Sequence, residues 1–222
     1  MGVQVLYEDN HLIAVYKPLG VLVQGDKSGD LSLMDDVKKY LKDTYKKPGN
    51  VFLGLVHRLD RNVEGVVLFA KTSKGASRLS EQFRQHTVEK IYHAVVLGKP
   101  VKNKDTLVHW LKKDENTNRT TVYNQKTGDA QEAQLSYEVV KSNKKYSLLK
   151  IILGTGRSHQ IRAQLSFIGC PLVGDIKYGA PEVLPDHAIA LAATSLSFDL
   201  ATGEGRKVVE VAIPSQWTQY YA

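Results

Sequence analysis

The 222-residue sequence contains one cysteine, two methionines and two tryptophans. A single thiol, Cys170, excludes an internal disulfide and fits a reducing compartment. It stands before Pro171 in an apolar stretch, where buried filler is expected rather than a nucleophile. Thiolate clusters are thereby excluded. His57, His86, His93, His109, His159 and His187 show no paired ligand spacing, so no metal is expected. No Gly-x-x-x-x-Gly-Lys loop and no dinucleotide fingerprint occurs, which points to a reaction without cofactors. No apolar run approaches the roughly 20 residues needed to cross a bilayer. The N-terminal MGVQVLYEDN lacks the basic-then-apolar pattern of a signal peptide. A cytoplasmic protein without a membrane partner is expected. Internal repeats, low-complexity stretches and long linkers are also missing.

What remains is ordinary in composition and uneven in charge. Hydrophobic residues make up 42% and charged residues 24%, as in a globular protein with a substantial core. Lysine and arginine number 30 against 23 acids, a net charge of +7. Such a surplus suits a polyanion, because neutralising phosphates releases counterions. Strand patterns dominate. Residues 3–7 and 11–16 read as a hairpin, 88–97 as an interior strand apolar on both alternations, and 105–112, 119–124, 131–140 and 146–153 as further strands. Two late strands fall near 188–198 and 206–213. Met34, Val37, Leu41 and Tyr45 recur at helical spacing, with Asp30 or Ser32 as N-cap and Pro48-Gly49 as terminator. Ser73 can cap a second helix whose apolar side is Ala76, Leu79 and Phe83. Its other face carries Lys74, Arg78 and Arg84. Residues 158–168 form a third helix, ended by Gly169. The class is α+β, one domain over residues 1–222, with a largely antiparallel sheet and helices against it.

The chemistry concentrates in His57–Gly65, HRLDRNVEG. One carboxylate, Asp60, lies between Arg58 and Arg61, with apolar runs on either side. Neighbouring positive charge holds such a group ionised, and partial burial raises its reactivity. Read locally, the string also fits a surface salt-bridge turn. Gly154–Arg162, GTGRSHQIR, is a glycine-bracketed turn entering a helix N-terminus, a place that favours anions. Tyr92 lies in the interior strand, where a core role is the commoner fate.

Taken together these strings resemble the RluA-type pseudouridine synthases, which isomerise uridine in RNA. HRLD, a polar stretch, Gly65 and the strand Val66–Lys71 match one signature of that family; GTGRSHQIR matches its T-G-R-x-H-Q-I-R motif. Leu6–Asn10 with Lys17-Pro18-Leu19-Gly20, Val88–Ala94, and Gly174-Asp175 with Tyr178-Gly179 match others in the same order. The similarity covers roughly residues 5 to 213. It implies the pseudouridine synthase fold, a mixed, largely antiparallel sheet with flanking helices and a central active-site cleft. It further implies catalytic roles for Asp60, for Tyr92 beside the target base, and for Arg162 as the partner of the aspartate. Arg58, His57, Arg157, Gln160 and Leu191 are the implied substrate contacts, with Arg58 entering the RNA where the base is flipped out. The matching region starts within the first ten residues, so no separate N-terminal RNA-binding module is expected. A monomer acting on ribosomal or transfer RNA is the resulting expectation.

Two positions depart from the family pattern. Val63-Glu64 stands where Thr-Ser is usual, adding an acid near Asp60, and Leu191-Ala192-Ala193 stands where Leu-His-Ala is frequent. Two other functions compete with isomerisation. One is a catalytically silent RNA-binding protein or chaperone on the same scaffold. The other is a carboxylate-based hydrolase of a phosphate-bearing small molecule.

Overall fold

A computed structural model describes residues 2–26 and 29–221. In chain order the elements are β1 (Val5–Glu8), β2 (Leu12–Lys17), α1 (Leu33–Thr44), β3 (Gly54–Leu55), β4 (Glu64–Ala70) and α2 (Ser73–Arg84). Next come β5 (Glu89–Leu97), β6 (Lys104–Asp114), β7 (Arg119–Tyr123), β8 (Gln131–Ser142) and β9 (Tyr146–Leu153). Last are α3 (Gln160–Phe167), β10 (Leu191–Asp199), β11 (Arg206–Glu210) and the short α4 (Thr218–Tyr221), which no sequence pattern announces. The expected α+β class holds. By internal contacts the chain divides into two compact units, one running up to Val88 and resuming over Ser195–Val211, the other comprising Glu89–Thr194 and the residues from Ala212 onward.

In the first unit β1 pairs antiparallel with β2, β2 with β4, and β11 with β10, while β3 adds two residues to β4. Asp9 makes the first turn. Its carboxylate accepts the N–H groups of His11 and Leu12, both at 2.7 Å, which closes the expected hairpin. The core gathers Leu12, Ala14, Val66, Leu68, Leu79, Leu196 and Phe198, with Ala76 and Phe83 of α2 packed against it. β4 is buried along its whole length, so it reads as a continuous apolar run rather than an alternation. Ser32 caps α1, and Asp35 completes a capping box by accepting the Ser32 N–H.

The cap of α2 differs from expectation. It is Thr72, whose Oγ1 accepts the Gly75 N–H at 3.1 Å; Ser73 is already the first helical residue. Thr72 is favoured because its extended backbone precedes the helix, and the same oxygen meets His11 Nδ1 at 2.9 Å. Gly75 matters here for close approach. A Cβ at this position would lie 2.6 Å from the His11 carbonyl oxygen.

In the second unit β5, β9, β8, β6 and β7 are successive antiparallel neighbours. The start of β10 lies beside β5, where His93 Nδ1 meets Thr194 Oγ1 at 2.8 Å. α3 packs against β6 and β7. It begins two residues later than the pattern suggests because His159 adopts left-handed backbone, φ 50°. A smaller cluster of Val95, Leu148, Val173, Ala190, Ala192 and Trp217 receives the C-terminal tyrosines Tyr220 and Tyr221. Cys170 is buried, and burial pushes its thiol pKa up, in keeping with filler rather than reactivity. Among the described residues no helix is long and apolar enough to cross a membrane.

The cap assignment is directly testable. Thr72→Ala is expected to lower stability by about 1 kcal/mol, while Ser73→Ala stays within a few tenths, as measured by urea unfolding.

Candidate active site

Asp60 sits at the tip of an irregular segment between β3 and β4, half-buried, with Arg58 exposed beside it. Several contacts fix this segment. Asp60 opens a turn in which its carbonyl accepts the Val63 N–H at 3.1 Å. The imidazole of His57, stacked on Phe83 with centroids 5.0 Å apart, accepts the Leu68 N–H through Nε2 at 3.0 Å. That contact leaves Nε2 unprotonated and the proton on Nδ1. These are the contacts of an anchor that ties the turn to β4 and α2. Arg61 exchanges hydrogen bonds with Gly20: its Nε donates to the Gly20 carbonyl at 2.9 Å and its own carbonyl accepts the Gly20 N–H at 3.0 Å. Its guanidinium also meets Asp30 at 3.0 Å, so the second arginine of the motif serves the loop.

Beneath the turn lies the side chain of Lys17, the first residue of the Lys17-Pro18-Leu19-Gly20 string. Lys17 is wholly buried. Its ammonium donates to the carbonyls of Val63 at 2.6 Å, Arg61 at 3.1 Å and Pro18 at 3.1 Å. Burial lowers its pKa to about 8, opposed by the nearby carboxylates of Asp60 and Glu64 and assisted by Arg61. Because the folded value lies below that of the unfolded chain, the folded state releases this proton first. This group's contribution to stability therefore rises with pH from about 8 up to the ordinary lysine range. Opposite Lys17 in the β2–β4 register stands Gly65, with φ 127°. Residues with a side chain rarely adopt that conformation, which accounts for a glycine at this position.

The second unit carries the other expected residues. Tyr92, in β5, is 8% exposed. Its register partner is Ile151. Arg162 is buried in α3 and forks onto Asp175, with Nε to Oδ2 at 2.7 Å and a terminal nitrogen to Oδ1 at 2.9 Å. The guanidinium also lies over the Tyr178 ring, 5.1 Å from its centroid. This bidentate pair was missed from the sequence. Its signal was the Gly174-Asp175 and Tyr178 string that follows the arginine motif and matches the same family. Asp175 follows Gly174, whose φ is 84° and where a Cβ would come within 2.5 Å of the Ala188 carbonyl oxygen. The expected pairing of Arg162 with Asp60 involves residues of different units and belongs to the proposal below.

Gln160 and Arg157, expected at the substrate, have loop-building partners. The Gln160 Oε1 accepts from Thr155 Oγ1 at 2.7 Å and from the Arg157 N–H at 3.0 Å, while its Nε2 donates to the Gln134 carbonyl at 3.0 Å. A buried amide thus satisfies the turn from within. The exposed Arg157 donates from Nε to the Glu132 carbonyl at 3.0 Å. Tyr178 holds the strained His159: its hydroxyl lies 2.9 Å from His159 Nδ1 and accepts the Thr120 N–H at 2.8 Å. Leu191 is buried at the start of β10. Among the described residues no cluster of three or more His, Cys, Asp or Glu side chains could hold a metal ion.

A family model described as RNA pseudouridylate synthase matches residues 11–167, a span holding Asp60, Tyr92 and Arg162. A ribosomal large subunit pseudouridine synthase C of Rickettsia prowazekii is 36% identical over 181 residues, covering 81% of this chain and 57% of the relative. A ribosomal large subunit pseudouridine synthase D of Pseudomonas aeruginosa is 32% identical over 191 residues, covering 83% of this chain and 56% of the relative. The chain therefore spans little more than half the length of these curated relatives. The solved structure of human RNA pseudouridylate synthase domain containing 4 superposes with a TM-score of 0.80 at 24% identity, over 97% of this chain and 90% of that one. That likeness shows the fold.

Asp175→Asn is expected to destabilise the folded chain by about 3 kcal/mol or more in denaturant unfolding, because it removes charge opposite a buried guanidinium. Gly65→Ala is expected to cost about 1–3 kcal/mol through backbone strain, measured the same way.

Proposed function

Since the chain belongs to the RNA pseudouridylate synthase family, we propose that it converts uridine in RNA to pseudouridine, with Asp60 starting the reaction. The single observation that carries this reading is the family match over residues 11–167, which contains every expected catalytic residue. The names of the relatives make ribosomal large-subunit RNA the first substrate to try, with transfer RNA second. In the reaction the N1–C1′ bond breaks, the uracil turns within the site, and C5 bonds to C1′. C5 gives up its proton and N1 regains one, so no oxidant, reductant or cofactor is required. A uridine within a stem must first leave its stack, at a cost of a few kcal/mol.

Roles follow residue by residue from the resemblance. Asp60 acts at the sugar of the target, and Tyr92 supports the uracil by stacking and by its phenol oxygen. Arg162 is the cation expected to pair with Asp60 and orient it. Arg58, exposed next to Asp60, is suited to enter the gap left by the flipped base. The solvent-facing Lys74, Arg78 and Arg84 of α2 suit phosphate contacts, which position RNA without reading its sequence. The anchoring contacts of His57 and the loop contacts of Gln160 support roles in shaping the substrate surface rather than reading the base. Both units serve one catalytic domain in this reading, acting as a cytoplasmic monomer.

The test uses RNA transcripts carrying tritium at C5 of uridine. Tritium release by the wild-type protein, lost by at least about a thousandfold in an Asp60→Asn variant shown to be folded by circular dichroism, is the expected result. Salt-sensitive RNA binding without release from any transcript would instead favour the silent RNA-binding protein.

A further inference from the structure

One corner of the second unit gathers lysines and tyrosines that the proposed reaction does not use. The β5–β6 and β8–β9 turns are laced together there. The Gly98 N–H donates to the Lys145 carbonyl at 2.8 Å, and Ser147 Oγ donates to the Gly98 carbonyl at 2.8 Å. Asn143 ties the second turn to α4. Its Oδ1 accepts the N–H groups of Lys145 at 3.0 Å and Tyr146 at 2.9 Å, while its Nδ2 donates to the Tyr220 carbonyl at 2.8 Å. Lys99, Lys141, Lys144 and Lys145 stand exposed around these turns. Their neighbours Lys102 and Lys104 pair with Asp105 and Glu138, but among the described residues these four have no carboxylate partner. The Lys145 ammonium lies 5.3 Å from the Tyr146 ring centroid, and that of Lys141 lies 5.8 Å from the Tyr221 centroid.

An open crevice adjoins the lysines. Its walls are the apolar Leu97, Val173 and Leu184 and the rings of Tyr146 and Tyr220, which meet edge to face with centroids 5.2 Å apart. One acid, Glu182, completes the lining. We propose that this corner is a second RNA contact: the crevice takes an unpaired nucleobase against Tyr146 and Tyr220, and Lys99, Lys141 and Lys144 take the flanking phosphates. The proposal rests on RNA being the substrate, as proposed above. Rings beside a cationic rim suit single-stranded nucleic acid, because bases stack on the rings while the backbone meets the cations. Glu182 repels phosphate from the crevice itself and accepts a hydrogen bond from a base N–H. Part of the chain's net charge of +7 is concentrated at this corner, which complements a polyanion. Its position fits as well. Leu97 lies five residues along β5 from Tyr92, or about 17 Å of strand, so an RNA whose target uridine reaches Tyr92 presents neighbouring nucleotides at this distance.

The experiment uses the full chain and a fluorescein-labelled, single-stranded oligouridylate of roughly 12 nucleotides. The triple variant Lys99→Gln, Lys141→Gln, Lys144→Gln, with unchanged circular dichroism, is expected to bind at least about fivefold more weakly near physiological salt. The slope of log K against log salt is expected to shrink by about 2. Irradiating the wild-type complex with the same oligonucleotide carrying 4-thiouridine is expected to crosslink Tyr146 or Tyr220, located by mass spectrometry. Unchanged affinity and slope in the triple variant overturn the proposal, and so do crosslinks that leave both tyrosines unmodified. A duplex of the same length bound as tightly as the single strand, with the same loss in the triple variant, overturns the seating of a base in the crevice. On tritiated transcripts the triple variant is expected to raise KM several-fold with kcat within about twofold. A wild-type protein that crosslinks at the crevice but releases no tritium defeats the functional reading and leaves the RNA contact standing. Tritium release without a crosslink at either tyrosine defeats the contact alone.

Discussion

A buried ammonium under a turn is the constraint on which the first unit's chemistry depends. Three main-chain carbonyls, those of Pro18, Arg61 and Val63, accept from the Lys17 ammonium, and the Arg61 carbonyl also accepts the Gly20 N–H. An unsatisfied buried carbonyl costs on the order of 1–3 kcal/mol, so one cation with three donors outweighs its own desolvation only because it satisfies several groups at once. The cost of that arrangement is visible in the lowered pKa of Lys17. The carboxylates of Asp60 and Glu64 offset it in part. Gly65 then lets the chain leave the turn and enter β4 directly opposite Lys17. His57 ties the other end of the segment to Leu68 and Phe83. The motif thus works as a short irregular segment clamped at both ends and from below.

The second unit solves a similar problem with a different chemistry. Arg162 must be buried in α3, and Asp175 accepts it in a fork geometry that fixes the plane of the guanidinium. Tyr178 covers its face and also braces His159 and Thr120. Gln160 fills the loop from within. Two of the family's short strings, GTGRSHQIR and the Gly-Asp-x-x-Tyr-Gly loop, are therefore one structural assembly.

Much of this was legible beforehand. Strands with clear periodicity, the α1 cap at Ser32 and the apolar side of α2 follow from side-chain spacing and local capping chemistry, which act over a few residues. The α2 cap was misplaced by one residue because Thr72 and Ser73 are chemically equivalent as caps; the link between Thr72 and His11, distant in sequence, separates them. The division into two units, and the burial of Lys17 beneath Asp60, depend on long-range pairing of β2 with β4 and were not visible locally. The same holds for Asp175 as the partner of Arg162. The resemblance implies that His57 and Gln160 contact the substrate; in three dimensions His57 Nε2 also accepts the Leu68 N–H and the Gln160 amide also bonds the main chain of its loop.

What makes the chain a member of its family is also what a cell can report. The most direct measurement is pseudouridine mapping of total RNA from cells with and without the gene. The predicted result is at least one modified uridine that disappears on deletion, returns with the wild-type gene and stays absent with Asp60→Asn. A map unchanged by deletion, or restored by the Asp60→Asn gene, would contradict the assignment of Asp60 as the catalytic carboxylate of an RNA uridine isomerase.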